Sequence, residues 1–220
     1  MQENKKQIQN GRSMIEMLGV LGVVGVLSVG GLAGYSKAMN KYRVNKTFEQ
    51  VNTMSQNIRT AFATQKGRDK YKDLHVIGSC FSRGALTSAG SSDCNGAKVV
   101  KRQQLIPDEM YGDGASHTHT YAVRSNTGIE NSFGGSVGVE GNEDGFMIEM
   151  DNVTADACID LVTKDWVAVS AGIEMIMVNH YPYCKNSDSW YGCDDRKLPI
   201  PVDRATELCR DGVWIVFGYR

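Results

Sequence analysis

A single carboxylate, Glu16, stands at the head of an uncharged apolar run that extends from Met17 to Tyr35. At about 1.5 Å per helical residue, the run is close in length to the ~30 Å hydrocarbon core of a membrane. A carboxylate at the mouth of a membrane segment is costly unless another group pairs with it, so Glu16 is a candidate functional residue. The alternative is a secretory signal, for which Leu32-Ala33-Gly34 is an acceptable cleavage site.

Six cysteines follow this apolar run, at positions 80, 94, 158, 184, 193 and 209. An even number of cysteines without a CxxC pair is typical of disulfides in an oxidising compartment and not of a zinc site. The sequence leaves their pairing open at this point. Because basic residues flank the apolar run on both sides, charge does not fix its orientation, and the cysteines indicate that the domain beyond it is exported.

Three further groups of residues could bind a ligand. His117 and His119 alternate as on one face of a strand and could hold a metal, but no third ligand lies within reach in the sequence. The aromatic side chains around Cys184 and Cys193 could form a binding loop for sugars or a host surface, a subunit contact, or an apolar loop fixed by its disulfide. These aromatic residues are Tyr181, Tyr183, Trp190 and Tyr191.

The third group matches the first half of a calcium-binding loop: Glu140, Asn142, Asp144 and Gly145, with Asp151 at the twelfth position. The first ligand is glutamate instead of aspartate, and a strand pattern follows where a calcium loop has a helix. A hairpin turn is therefore the favoured interpretation.

The overall composition excludes several functions. The chain has 220 residues and a net charge of −1, so neither nucleic acid nor an acidic polymer is an implied partner. No nucleophile–base arrangement indicates an enzyme, and no cofactor is implied. The length beyond the apolar run is sufficient for one globular domain with its own core.

Apolar residues continue at helical spacing beyond the membrane-length run: Val44, Phe48, Val51, Ile58 and Phe62. The pattern predicts one helix from about Ser13 to Lys66, hydrophobic all round at first and amphipathic later, with Gly67 as its stop. Strand patterns then occur at 118–124, 136–140, 146–150, 173–179 and 213–219. Two short helices are predicted among them, one capped by Thr154 and carrying Cys158, the other running from Asp203 to Arg210. This order of elements predicts an α+β fold.

The spacing of Gly11, four further residues, Glu16 and an apolar helix resembles the amino terminus of type IV prepilins and pseudopilins. The resemblance implies that residues 1–11 are a leader, that a prepilin peptidase cuts after Gly11, and that Arg12 becomes the new amino terminus. Residues 12–66 would be the long helix, membrane-spanning over 17–35, and 67–220 the exported domain. Arg12 stands where the family usually has an apolar residue, which leaves amino-terminal methylation open.

The carboxyl half is similar to type IVb pilins in two stretches, 146–162 and 207–218, which hold Cys158 and Cys209. The similarity implies a long helix packed on an antiparallel sheet, with loops closed by disulfides. It implies the pairs Cys158–Cys209, Cys80–Cys94 and Cys184–Cys193.

The implied function is that of a structural subunit which leaves the bacterial inner membrane and assembles, through its hydrophobic helix, into an extracellular or periplasmic filament. Its partners would be other subunits, the prepilin peptidase and a pilus or type II secretion machinery. In this family the new α-amine pairs with the glutamate of a neighbouring subunit, here Glu16. The same motif is compatible with three alternative functions. These are a minor pilin, a tip adhesin that uses the 181–193 loop, and a secretion pseudopilin. A secreted soluble domain behind a cleaved signal is the other alternative.

Overall fold

The structure is a computed structural model of the chain. It describes residues 14–65, 70–72, 74–76, 81–82, 85–86, 100, 102–111, 129–141, 145–186, 193, 196–210 and 212–220. The chain divides into two compact units, Met1–Lys41 and Tyr42–Arg220. The predicted strand over 118–124, His117, His119, Cys80 and Cys94 lie outside the described residues.

Helix α1 covers Met14–Ala61 and confirms the predicted long helix, although it ends before the predicted position at residue 66. Phe62 still donates to the carbonyl of Ile58 at 3.1 Å, but the N–H of Ala63 bonds to Thr60 at 3.2 Å, one residue closer than in an α-helix. This bond tightens the chain into a turn. The three residues after Phe62 are exposed, so no core face holds the helix beyond it.

The second unit contains an antiparallel sheet of six strands. The structure has β1 at His75–Val76, β2 at Phe81–Ser82, β3 at Ala85–Leu86, β4 at Val137–Gly141, β5 at Phe146–Val153, β6 at Ile173–Val178, β7 at Tyr181–Cys184 and β8 at Val213–Tyr219. The strand order is β1-β4-β5-β8-β6-β7, while β2 and β3 form a separate hairpin. The last strand of the chain therefore lies between β5 and β6, near the middle of the sheet.

The described part of the unit also contains the short helices α2 at Ala155–Val162, α3 at Trp166–Val169 and α4 at Val202–Leu208. Thr154 occupies the N-cap of α2 as predicted, but its side chain makes no capping bond. The prediction for α4 was wrong at both ends, because Pro201 is its N-cap and the helix ends at Leu208. The carbonyl of Pro201 accepts the first helical bond, from Ala205 at 2.9 Å. Asp203 therefore lies inside the first turn, where its charge favours the helix dipole.

One face of the sheet packs on the second half of α1. Val51, Met54 and Ile58 are buried there against the side chains that alternate inward from β5, β6 and β8. Each such side chain contributes about 1.5–3 kcal/mol when it leaves water. An aromatic row links the layers, since the ring of Trp166 lies 4.7 Å from that of Phe48 and 4.6 Å from that of Phe217. The described structure is thus the α+β arrangement that the sequence predicts.

A turn before β4 is fixed by one buried amide. The Oδ1 atom of Asn131 accepts N–H groups from Phe133 and Gly135 at 2.8 and 3.1 Å, while its Nδ2 donates to the carbonyl of Asp151 at 2.8 Å. The carboxylate of Asp151 in turn accepts the N–H of Ser136 at 2.6 Å. The turn therefore sets the start of β4 against β5.

Substitution of the two glycines in this turn should have unequal effects. In Gly135→Ala, the new Cβ would collide with the main-chain carbonyl of Asp151. That carbonyl cannot move without disturbing β5, so we expect a loss of about 3 kcal/mol or more in the free energy of unfolding. Gly134 has a φ of +77° and nothing within 4 Å of its Cβ position, so Gly134→Ala should cost only about 1–2 kcal/mol of left-handed strain. Denaturant titration measures the free energy of unfolding of both variants. Equal losses would contradict the close approach of Gly135 to the Asp151 carbonyl.

Candidate functional site

The first half of α1, within the residues that the structure describes, is an apolar helix that is exposed along its length. From Met14 to Ala38 every residue is exposed, including Val26 at 75% and Leu32 at 67%. Among the described residues, α1 is the helix that is long and apolar enough to cross a membrane. A soluble helix would hide such a surface in a core, so this half requires lipid or neighbouring apolar helices around it.

Glu16 lies in the first turn of α1 and is the acidic residue of this half. Its side chain is exposed, as are those of its apolar neighbours Ile15 and Met17. A carboxylate at this place helps the helix dipole but opposes burial in lipid. The arrangement suits a group that is neutralised by a partner with positive charge.

The hydroxyl groups of two serines within the described apolar half are satisfied by the helix itself. Ser28 Oγ donates to the carbonyl of Val24 at 2.7 Å, and Ser36 Oγ donates to that of Leu32 at 3.0 Å. Such bonds to the preceding turn remove the need for water as a partner. This half can therefore enter an apolar environment with Glu16 as its one ionisable group before Tyr35.

The glycines of this half leave its surface open. A Cβ at Gly19, Gly22 or Gly25 would meet nothing within 4 Å, and the same holds at Gly30, Gly31 and Gly34. Small residues allow helices to approach closely in an apolar environment. The surface is therefore compatible with close helix packing.

The second half of α1 is held by the globular unit. Val44, Val51, Ile58 and Phe62 of the predicted stripe are buried, while Phe48 is half-buried. Polar bonds add to the packing. Ser132 Oγ lies 3.2 Å from Gln50 Oε1, and Lys46 pairs with Glu109 at 2.8 Å. The hydrogen bond between Lys46 and Glu109 raises the pKa of Lys46 and lowers the pKa of Glu109.

A buried tyrosine lies under the last turns of this half. Burial raises the pKa of Tyr219 to about 12, and its hydroxyl lies 3.2 Å from Ser170 Oγ. The ring also stacks on Phe146 with a centroid distance of 5.1 Å. Tyr219 is therefore a neutral structural residue at physiological pH and not a candidate catalytic acid.

Two of the three implied disulfides are present in the described part of the chain. Cys158–Cys209 joins α2 to the end of α4 with a Cα–Cα distance of 5.7 Å, and Cys184–Cys193 closes a local loop after β7. Gly11, Arg12 and the pair Cys80–Cys94 lie outside the described residues.

Glu140 and Asp151, the described ends of the possible calcium loop, do not lie together. Glu140 pairs with Met147 across the β4–β5 hairpin, whereas Asp151 lies opposite Ser136. Ser136 and Glu140 are four residues apart along the chain. At about 3.3 Å per residue, this separation is about 13 Å, which one ion cannot span. Asn142 and Asp144 lie outside the described residues. Within the described ranges, no group of three His, Cys, Asp or Glu side chains could hold a metal.

Of the aromatic group around Cys184 and Cys193, the structure describes Tyr181 and Tyr183, which differ in exposure. Tyr183 is buried in the main core, while Tyr181 is about half exposed at 53%. Trp190 and Tyr191 lie outside the described residues. The carbonyl of Pro182 accepts the Nε–H of Arg196 at 2.9 Å. This bond fixes the segment after the disulfide loop to the edge strand β7. Tyr183 therefore contributes to core packing, whereas Tyr181 remains at the surface.

The architecture defined by these elements is a long helix with an exposed apolar first half, followed by an α+β unit with disulfide-closed loops. The chain is similar to the crystal structure of a type IV b pilin from Salmonella typhi, with 14% sequence identity and a TM-score of 0.42. The alignment covers 82% of this chain and 99% of that pilin. No family model matches the chain, and no curated protein matches it.

Proposed function

We propose that this protein is a structural subunit of a type IV pilus-like filament, released from a membrane by cleavage after Gly11 and assembled through the apolar half of α1. The observation that carries the proposal is the contrast within this one helix. Its first half is exposed and apolar with a single acid, Glu16, whereas its second half supplies buried residues to the core of the second unit. A subunit that stacks by its helix needs both properties.

In this proposal, residues 1–11 are a cytoplasmic leader and residues 17–35 span the inner membrane. The domain over 67–220 is exported, together with the second half of α1, which shares its core. The disulfides between Cys158 and Cys209 and between Cys184 and Cys193 suit an oxidising compartment. The partners are a prepilin peptidase, an assembly machinery and further subunits of the filament.

Cleavage supplies the group that Glu16 needs. The new α-amine at Arg12 has a pKa near 7.7–8.0 in an unperturbed chain, so it is mostly cationic at neutral pH. Pairing of this amine with Glu16 of a neighbouring subunit neutralises the carboxylate and fixes the register of docking. Arg12 stands four residues before Glu16 in the sequence, and its guanidinium is a competing partner within the same subunit, although on a helix that order of charges is the weaker one.

The amino terminus of the mature protein tests this proposal. We expect it at Arg12, and we expect Gly11→Val to accumulate as the full-length precursor because the peptidase acts at this glycine. Intact-mass measurement of membrane-extracted protein separates the two forms.

Gly34→Leu is the matched control, since Gly34 belongs to the alternative signal-peptide site and lies on the exposed face of α1. It should be processed like the wild type. A mature protein that starts near Tyr35, with cleavage blocked by Gly34→Leu, would instead establish a secreted soluble domain.

A further inference from the structure

Two lysines follow the apolar half of α1 directly. Lys37 and Lys41 are both exposed and lie four residues apart, so they share one face of the helix. The sequence from Met17 to Phe48 contains no acidic residue. Among the described residues, neither lysine takes part in an ion pair. This face therefore carries a double positive charge that its own helix does not compensate.

The position of these lysines along α1 matches the headgroup layer of a membrane. If residues 17–35 fill the hydrocarbon core, Lys37 lies about 3 Å and Lys41 about 9 Å beyond Tyr35. The headgroup region on each side of the core is about 5–8 Å thick, so the backbone of Lys37 lies within it. The backbone of Lys41 lies just beyond it, and its long side chain can reach back to the phosphates. Tyr35, 64% exposed, has the amphipathic side chain that is enriched at this boundary.

The presence of two lysines, Lys37 and Lys41, on the exported side also needs a physical explanation. Cytoplasmic flanks normally carry the excess of lysine and arginine, because positive charge opposes export. Here Lys37 and Lys41 stand on the flank that the cysteines place outside. A favourable contact with negative charge on that side would offset this disadvantage.

We propose that Lys37 and Lys41 bind the phosphate groups of anionic phospholipids in the leaflet that faces the exported unit, and so hold the subunit at a defined depth before assembly. The proposal rests on the proposed function, because it requires residues 17–35 to lie in a membrane. Each lysine near an anionic surface strengthens binding by about fivefold. The pair therefore selects anionic over zwitterionic lipids around the helix.

The test uses the full chain in nanodiscs that hold equal amounts of phosphatidylglycerol and phosphatidylcholine. Native mass spectrometry counts the lipids of each kind that stay bound. We expect the wild type to retain phosphatidylglycerol preferentially, and Lys37→Gln/Lys41→Gln to lose most of that preference. Lys37→Arg/Lys41→Arg should keep it, as should Lys72→Gln/Arg210→Gln, which removes two exposed charges from the globular unit.

An unchanged preference in Lys37→Gln/Lys41→Gln would overturn the proposal. If that variant also failed to assemble, the lysines would be assigned to an acidic partner subunit instead. Carbonate extraction distinguishes failure of the lipid-binding proposal from failure of the proposed function. Release of the wild type from membranes by carbonate would refute membrane residence and the lipid contact together.

Discussion

Glu16→Val subunits should be cleaved and inserted into the membrane like the wild type, yet they should fail to form filaments. Insertion should even improve slightly, because valine removes an ionised group from the mouth of the apolar half. In the proposed mechanism we expect assembly to fail, because the α-amine of the neighbouring subunit would be left without its partner in an apolar surrounding. Loss of one partner of a buried pair costs about 3–5 kcal/mol, which weakens each docking step by more than about a hundredfold.

Filament yield by electron microscopy, together with the mature mass and the membrane fraction, checks each part of this expectation. Wild-type subunits mixed with the variant should form fewer or shorter filaments. Glu49→Val is the matched control, since Glu49 is an exposed acid on the second half of the same helix. It should leave assembly close to normal.

Arg12→Phe separates the two possible partners of Glu16. If Arg12 only neutralises Glu16 within its own helix, its removal should leave assembly intact or improve it. If the guanidinium makes the intermolecular contact, assembly should fall as it does for Glu16→Val. Normal filaments from Glu16→Val would refute the register mechanism while leaving cleavage at Gly11 a separate question.

The elements that could be predicted are those in which local pattern and tertiary packing agree. Val44, Val51 and Ile58 keep seven-residue spacing on one helix face, and the core covers all three. The strand at Val213–Tyr219 is almost continuously apolar, and the run Phe146–Met150 is interrupted only by Glu149, which is typical of strands buried on both faces. Their pairing in the middle of the sheet depends on contacts distant in sequence, which local pattern does not encode.

The errors lie where short-range geometry decides. The four residues of α3 are too few for a periodic pattern, and its only sequence signal is Asp165, whose carboxylate caps Ala168 at 3.2 Å. Asp203 has the side chain of a helix cap, but α4 begins one residue earlier, at Val202, with Pro201 as its N-cap. The end of α1 was placed too late because polar residues continue the helical pattern after the buried face has ended at Phe62.

Among the functional and structural residues, too, some could be predicted from the sequence and others could not. Glu16 could be singled out because one charge precedes an otherwise uncharged apolar run, and its role between subunits stays a prediction. The turn at Asn131 was missed, although an asparagine followed closely by Gly134 and Gly135 is a turn signal. Its role became evident only from the bond to Asp151, which lies 20 residues further along the chain.

Loss of the Cys158–Cys209 disulfide should lower the free energy of unfolding more than loss of Cys184–Cys193. The first bridge closes a loop with a sequence separation of 51 and the second one of 9. The entropy of loop closure in the unfolded chain then gives about 4 kcal/mol for the first and about 2.5 kcal/mol for the second. Cys158 is also fully buried against the core, where it holds α2 to the end of α4.

The two double variants Cys158→Ala/Cys209→Ala and Cys184→Ala/Cys193→Ala form a matched pair, since each removes the same atoms from the native protein. Denaturant titration should place the first at the lower midpoint, and its steady-state level in cells should fall further because marginal stability increases proteolysis. Peptide mapping of the wild type under non-reducing conditions must recover 158 and 209 in one cross-linked peptide. Free thiols at both positions in exported protein, or a larger loss from the short loop, would contradict the argument that the long bridge constrains the carboxyl half of the fold.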